Sequence, residues 1–253
     1  MTTLTKSWRQ PAPTRKGLAE LRPPDPELWK SRLLLDRERA AANQSDALLE
    51  ITRAIEARSC QLGADALVLT GSTARNRRTK VSDLDYHVIG GKPDAEGLPS
   101  DIDLYSDEPN AFLAKLFKGD DFAHWTLRYG CILFDNDVLR QASIVAIEQD
   151  LWPDSERKLR QAKRAIDFSL KVASTGDHAA LLEFSRGALS LTARWWLLSH
   201  DVFPLARDEL AQQLAETEQP GLAAALETSI HGRPSGSAVA SWLAEARQLT
   251  SDA

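Results

Sequence analysis

Apolar positions recur at helical spacing through most of this chain and at strand spacing in one short central region. From Glu27 toward Leu62 the residues are dense in Leu, Ala, Arg and Glu, and Leu48, Ile51, Ile55 and Leu62 fall on one helical stripe. Asp25-Pro26 is a sound cap and first-turn pair and Gly63 a stop, so the stretch predicts one long helix, or two in line. That apolar stripe is expected to pack on a sheet beginning at Ala66. Ala66 to Thr70 (ALVLT) has strand length and breaks at Gly71-Ser72, before Thr73 to Asn76, which can open a helix. Ser82 to Ile89 alternates as a strand does, with Asp83, Asp85 and His87 on one face and Leu84, Tyr86 and Val88 on the other. The turn-rich Gly90 to Ser100 then leads to a strand carrying Asp103. Asn110 to Lys118 predicts a helix with Phe112, Leu113, Leu116 and Phe117 inward; Phe122 to Leu127 extends it, and Cys131 to Phe134 is a short strand. His124, Trp125 and Tyr129 are expected in packing roles.

After Trp152-Pro153 the pattern becomes helical throughout. Asp154-Ser155 caps a helix that Gly176 ends, Asp177 starts another that runs to His200, and Leu205–Glu218, Gly221–Ser229 and Ser237–Leu249 complete a bundle. The expected division is an arm over 1–24, an α+β domain with a leading helix over 25–150, and a helical bundle over 151–253. The arm holds Pro11, Pro13, Pro23 and Pro24, which forbid a continuous helix. It is expected to be flexible, with docking through Trp8 and Leu18 as the alternative.

Composition narrows the partners. The 253 residues are 43% hydrophobic, enough for a core, and the net charge of −5 argues against a broad basic surface for long nucleic acid. Cys60 and Cys131 offer neither a disulfide framework nor metal-ligand spacing. No segment approaches the ~20 apolar residues of a spanning helix, and the N-terminus lacks a signal core. The expectation is a cytoplasmic protein with no membrane association.

The chemistry concentrates between Leu67 and Val88. A strand-to-helix turn at Gly71-Ser72 can aim backbone N–H groups and the Ser72 hydroxyl at a phosphate, and glycine permits close approach. Ten residues after Ser72 begins Ser82-Asp83-Leu84-Asp85, whose two carboxylates converge on one point. Magnesium binds through one or two carboxylates plus substrate phosphates, so an Asp-x-Asp strand beside a phosphate turn is a coherent nucleotide site. Arg75, Arg77, Arg78 and Lys80 lie between the two halves and are either a solvated loop or a source of phosphate-neutralising charge, with Arg75 best placed. His87 is expected beside the site but not as a ligand.

GSTAR followed by SDLDYHV resembles the nucleotidyltransferase superfamily, which includes DNA polymerase beta, the aminoglycoside nucleotidyltransferases and minimal bacterial members. The resemblance covers roughly residues 60 to 140 and continues through NAFLAKLFKGDDFAHWTLRYGCILFDND. It implies a small mixed sheet and a third acid in an apolar-Asp-apolar setting, which Ile102-Asp103-Leu104 supplies; Asp101 is the nearer rival. Many relatives carry glycine where this chain has Asn76. The helical C-terminal half is similar in pattern to that of aminoglycoside nucleotidyltransferases, where it helps form the acceptor side.

The resemblance implies nucleotide binding at Gly71, Ser72 and Arg75, with Asp83, Asp85 and Asp103 as catalytic residues and ligands of magnesium or manganese. A nucleoside triphosphate, with ATP the expected donor, would give its nucleotidyl group to a hydroxyl on a small molecule or protein. A toxin–antitoxin-type enzyme acting on tRNA 3′ ends or a partner protein is the rival, and a non-catalytic nucleotide-binding or partner-binding module is the reading of a different class. Arg194 and His200 also fit the Arg, four to six residues, His spacing of the HEPN ribonucleases. The residues between them are strongly apolar, so Trp195, Trp196 and Leu198 are expected in the core with His200 at a helix end.

Overall fold

Residues 26–79, 82–91 and 99–252 are described by the computed structural model. The arm over 1–24, the Asp25 cap, Lys80 and most of the 90–100 connector lie outside the described residues. The fold is α+β, and contacts divide the chain into two units between Arg157 and Lys158.

In the first unit the leading helical stretch is two helices, α1 (Pro26–Ala42) and α2 (Asp46–Gln61). Asn43, Gln44 and Ser45 separate them, and Ser45, in extended conformation, begins α2. Burial on α2 falls on Thr52, Ile55 and Ser59, whereas Leu62, expected inward, is the C-cap residue and is exposed. The sheet consists of β1 (Ala66–Leu69), β2 (Leu84–Ile89), β3 (Ile102–Asp107) and β4 (Cys131–Asp135), in the order β3-β2-β1-β4. β2 pairs parallel to β3, and β1 pairs antiparallel to both β2 and β4.

Every residue of β1 is buried, which requires cover on both sheet faces. One face packs Val68, Ile89 and Ile132 against α4 (Pro109–Phe117), α5 (Asp121–Tyr129) and α6 (Val138–Glu148). On the other, the Tyr86 hydroxyl meets Thr52 Oγ1 of α2 at 2.7 Å, and burial pushes that phenol up to about 12. α4 and α5 are separate helices, not one extension, because Asp120 caps α5 by accepting from the Phe122 and Ala123 amides. Phe117, expected inward, is 52% exposed at the end of α4. His124, Trp125 and Tyr129 are all buried.

β4 is an edge of the sheet, and α1 blocks it. Asp36 accepts from the Ile132 amide at 3.2 Å while ion-paired to Arg39 and Arg32, and Arg39 also donates to the carbonyls of Tyr129 and Gly130. A charged side chain on an edge amide prevents a further strand from adding.

The second unit holds the rest of α7 (Ser155–Ala173), with α8 (His178–Ser199), α9 (Arg207–Glu216), α10 (Pro220–His231) and α11 (Gly236–Ser251). Its core alternates leucines 189, 197, 210, 214, 226 and 243 with buried alanines that let the helices approach closely. Gln213, itself buried, ties down the segment before α9 by donating to the Phe203 carbonyl and accepting from the Leu205 amide. Arg194 and His200 do not converge: Arg194 donates to the Leu205 carbonyl, and His200 stacks on Trp196 at 4.1 Å and bonds its carbonyl. Among the described residues no helix is long and apolar enough to cross a membrane.

Candidate active site

The turn after β1 is tighter than its sequence suggests. The helix that follows, α3, is the single turn Gly71–Ala74, and it opens at Gly71 and not at Thr73. Asn76 ends it in the left-handed region (φ 55°), with the Arg77 amide donating to the Ser72 carbonyl at 2.8 Å and the Asn76 amide to that of Thr73 at 3.1 Å. This pair of bonds is the Schellman arrangement, whose left-handed position favours glycine and, after it, asparagine. Asn76 therefore holds, without glycine, the left-handed position this turn requires. Beneath the turn, Asn43 donates to the Thr73 carbonyl, the Cys131 thiol faces that of Ala74, and the Arg75 guanidinium lies 4.8 Å from the centre of the Tyr129 ring.

β2 is bound to this turn at Thr70, whose amide and hydroxyl both donate to the Asp85 carbonyl, at 2.8 and 3.2 Å. The Asp85 side chain lies against the α-carbon of Gly71, so close that a β-carbon there would stand 2.0 Å from Oδ2. Gly71 also has a φ of 64°, so position 71 must be glycine both for its backbone angle and for the carboxylate beside it.

Parallel pairing of β2 with β3 sets Asp85 directly opposite Asp103. Asp101, the rival third acid, precedes β3 and pairs with Arg78 at 3.7 Å. Asp83 and Asp103 are exposed and Asp85 is half-buried. Burial raises the Asp85 carboxyl to about 6, helped by the negative charges of Asp103 and then Asp83. Asp103 and Asp83 thus both act on the Asp85 carboxyl, which lies against Gly71. Among the described residues no group of three His, Cys, Asp or Glu side chains is arranged to hold a metal ion unaided.

Of the basic residues in the loop, Arg75 turns to Tyr129, Arg78 to Asp101, and Arg77 is exposed. His87 shares the aspartate face but is covered, lying between Phe112 and Phe122. Its Nε2 is 3.0 Å from Asp107 and its Nδ1 3.1 Å from the Thr126 hydroxyl; since a carboxylate only accepts, Nε2 carries the proton. Burial lowers its pKa, and His87 serves the interior and not the carboxylates.

One residue near the acids escaped the sequence reading. Tyr105 stands two positions after Asp103 on the same face of β3, 48% exposed, with its ring 5.5 Å from that of Phe122. Its phenol is raised by burial and then by Asp103, Asp85 and Asp83 in turn. The period of two along β3 was the signal that could have found it.

No family model and no curated protein matches this chain. Among solved structures it is similar to a nucleotidyltransferase-like protein from Exiguobacterium sibiricum 255-15, with 19% identity, a TM-score of 0.41, and coverage of 79% of this chain and 73% of that one.

Proposed function

We propose that this chain is a metal-dependent nucleotidyltransferase, moving a nucleoside monophosphate from a triphosphate to an acceptor hydroxyl with release of pyrophosphate. The observation that carries the reading is the register of Asp85 against Asp103 beside the Gly71 turn, with Asp83 adding its charge. The donor set is all oxygen, and the strain of ionising Asp85 between two other acids is what a bound cation relieves, so the residues fit magnesium or manganese.

Asp83 and Asp85 would hold the metal, with the substrate's phosphates completing its shell. When bound, it neutralises the triphosphate and the leaving pyrophosphate. The Gly71-Ser72 turn receives the β- and γ-phosphates, and the absence of a side chain at 71 leaves the Asp85 carboxylate beside the turn, where it would share a cation with them. Asp103 orients the acceptor hydroxyl and takes its proton as the oxygen attacks the α-phosphorus in line. Tyr105 borders the acids as an exposed ring against which a substrate can be placed.

The test is incubation of the purified chain with magnesium and each α-labelled nucleoside triphosphate, alone and with cell lysate, beside an Asp83→Asn control. Label should move in an Asp83-dependent way, and the labelled product names the acceptor as small molecule, protein or RNA. Nucleotide binding with no transfer under any of these conditions would overturn the catalytic reading in favour of a binding module.

A further inference from the structure

The second unit carries a surface that nucleotidyl transfer does not explain. α7 has six cationic residues against two acids, Glu156 and Asp167, in a chain whose net charge is −5; Lys158 is buried and Arg157 pairs with Asp120 at 3.1 Å, which leaves Arg160, Lys163, Arg164 and Lys171 exposed. Lys158, Leu159, Ala162, Ile166 and Ser169 occupy its buried side. Residues 160, 164, 168 and 171 fall at helical spacing on the opposite side, and Arg160, Arg164, Phe168 and Lys171 are all exposed.

Aromatic rings interrupt this basic stripe. Phe168 is 50% exposed, and Phe184 of α8, 45% exposed, meets it edge to face with centroids 4.8 Å apart. Leaving two phenylalanines half in water forgoes burial that would stabilise the fold. Two exposed acids flank the aromatic pair, and both are paired: Asp167, beside the stripe, with Arg247 of α11 at 3.5 Å, and Glu183, next to Phe184, with Arg186 at 3.3 Å. Asp167, Leu170, Lys171, Ser174 and Arg247 line an open cleft of about 510 Å³ at the end of the stripe.

We propose that this face of α7, with Phe184, docks single-stranded nucleic acid. Arg160 and Arg164, one helical turn apart, with Lys171 about two turns further on, can follow a phosphate backbone, and the half-exposed aromatic pair between them supplies a π-face to an unstacked base, the combination used by proteins that grip single strands. An acidic peptide would satisfy the charge but gives the phenylalanine pair nothing to stack on.

The full chain, without nucleoside triphosphate or metal, is titrated into fluorescein-labelled single-stranded RNA of mixed sequence and followed by fluorescence anisotropy. The outcome is thus independent of any transfer reaction. Binding should weaken with salt, with a log–log slope of about −2 for the three cations of the stripe. Arg160→Glu with Arg164→Glu and Lys171→Glu should weaken it about tenfold or more, and Arg164→Ala with Lys171→Ala, which removes only exposed groups, should move it the same way if the reversal variant does not fold. Phe168→Ser should weaken binding about tenfold without changing the slope, and Phe168→Tyr should restore it. The proposal is overturned if the wild-type chain does not bind, if the variants bind equally well, or if polyglutamate or vesicles of anionic phospholipid are bound in preference to RNA.

Discussion

Gly71 and Asp85 constrain each other, and the coupling can be tested one residue at a time. A methyl group at position 71 would overlap the Asp85 carboxylate and sit on a backbone of positive φ. Gly71→Ala should cost about 1–3 kcal/mol of stability and remove transfer, read by thermal melting and the labelled-nucleotide assay. Asp85 gives the opposite pairing of effects. Its folded pKa, about 6, exceeds its ordinary value of 3.8, so between those pH values the folded state holds a proton that the unfolded state has lost, and stability falls as pH rises through the window. Asp85→Asn should therefore melt higher than wild type at pH 7, by about 2–4 °C for each kcal/mol recovered, with the gain vanishing by pH 4. Transfer should be lost at every pH. A variant no more stable at pH 7 than wild type would mean that the acids do not crowd one another as their register implies.

At the scale of elements, what was legible in the chain follows from how local the forces are. The strands holding Asp85 and Asp103 and the helices of the second unit announce themselves through periodicity and caps. Between α1 and α2 the pattern leaves one long helix or two in line open, and the structure decides for two; Asn43 there acts through a distant partner, the Thr73 carbonyl, and Gln44 through the hydroxyl of Thr52 in the next helix. α6 had no counterpart in the pattern: it begins after Asp137, a non-glycine residue at φ 81°, and its first amides are taken by Asp135. α4 and α5 lie in one apolar run, and what divides them is the Asp120 side chain, which takes the Phe122 and Ala123 amides and starts a new helix. In the turn after β1, the left-handed position was visible only as a departure from the related pattern. Asn76→Gly should hold or raise the thermal midpoint, whereas Asn76→Ala, with neither glycine's freedom nor asparagine's tolerance of that angle, should cost about 1 kcal/mol. Equal melting of the two variants would remove the Schellman end of α3 from the account of the site.

At the scale of the whole molecule the acids and the cations are unevenly placed. A chain of net charge −5 gathers three carboxylates beside Gly71 and sets four exposed cations on α7, and the cost of each concentration is offset when a ligand of the opposite sign binds. What sequence could not tell is how strongly the acids interact, since that depends on the register of β2 on β3 and on the burial of Asp85. The interaction predicts a linkage. A divalent cation that binds the folded acids and not the unfolded chain should stabilise the protein by RT ln(1 + [L]/Kd), about 2.7 kcal/mol at a hundredfold excess over Kd. Melting in rising magnesium or manganese should shift the midpoint upward in wild type, and the shift should shrink on lowering the pH from 7 to 5, as Asp85 takes up its proton and competes with the metal. Asp85→Asn should lose the shift, whereas Asp101→Asn, altering the acid that pairs with Arg78, should keep it. If calcium, magnesium and manganese leave the midpoint unmoved at pH 7 without nucleotide but raise it once a nonhydrolysable triphosphate is added, the acids hold metal only together with the substrate's phosphates. No shift in either condition would remove the metal from the proposed reaction.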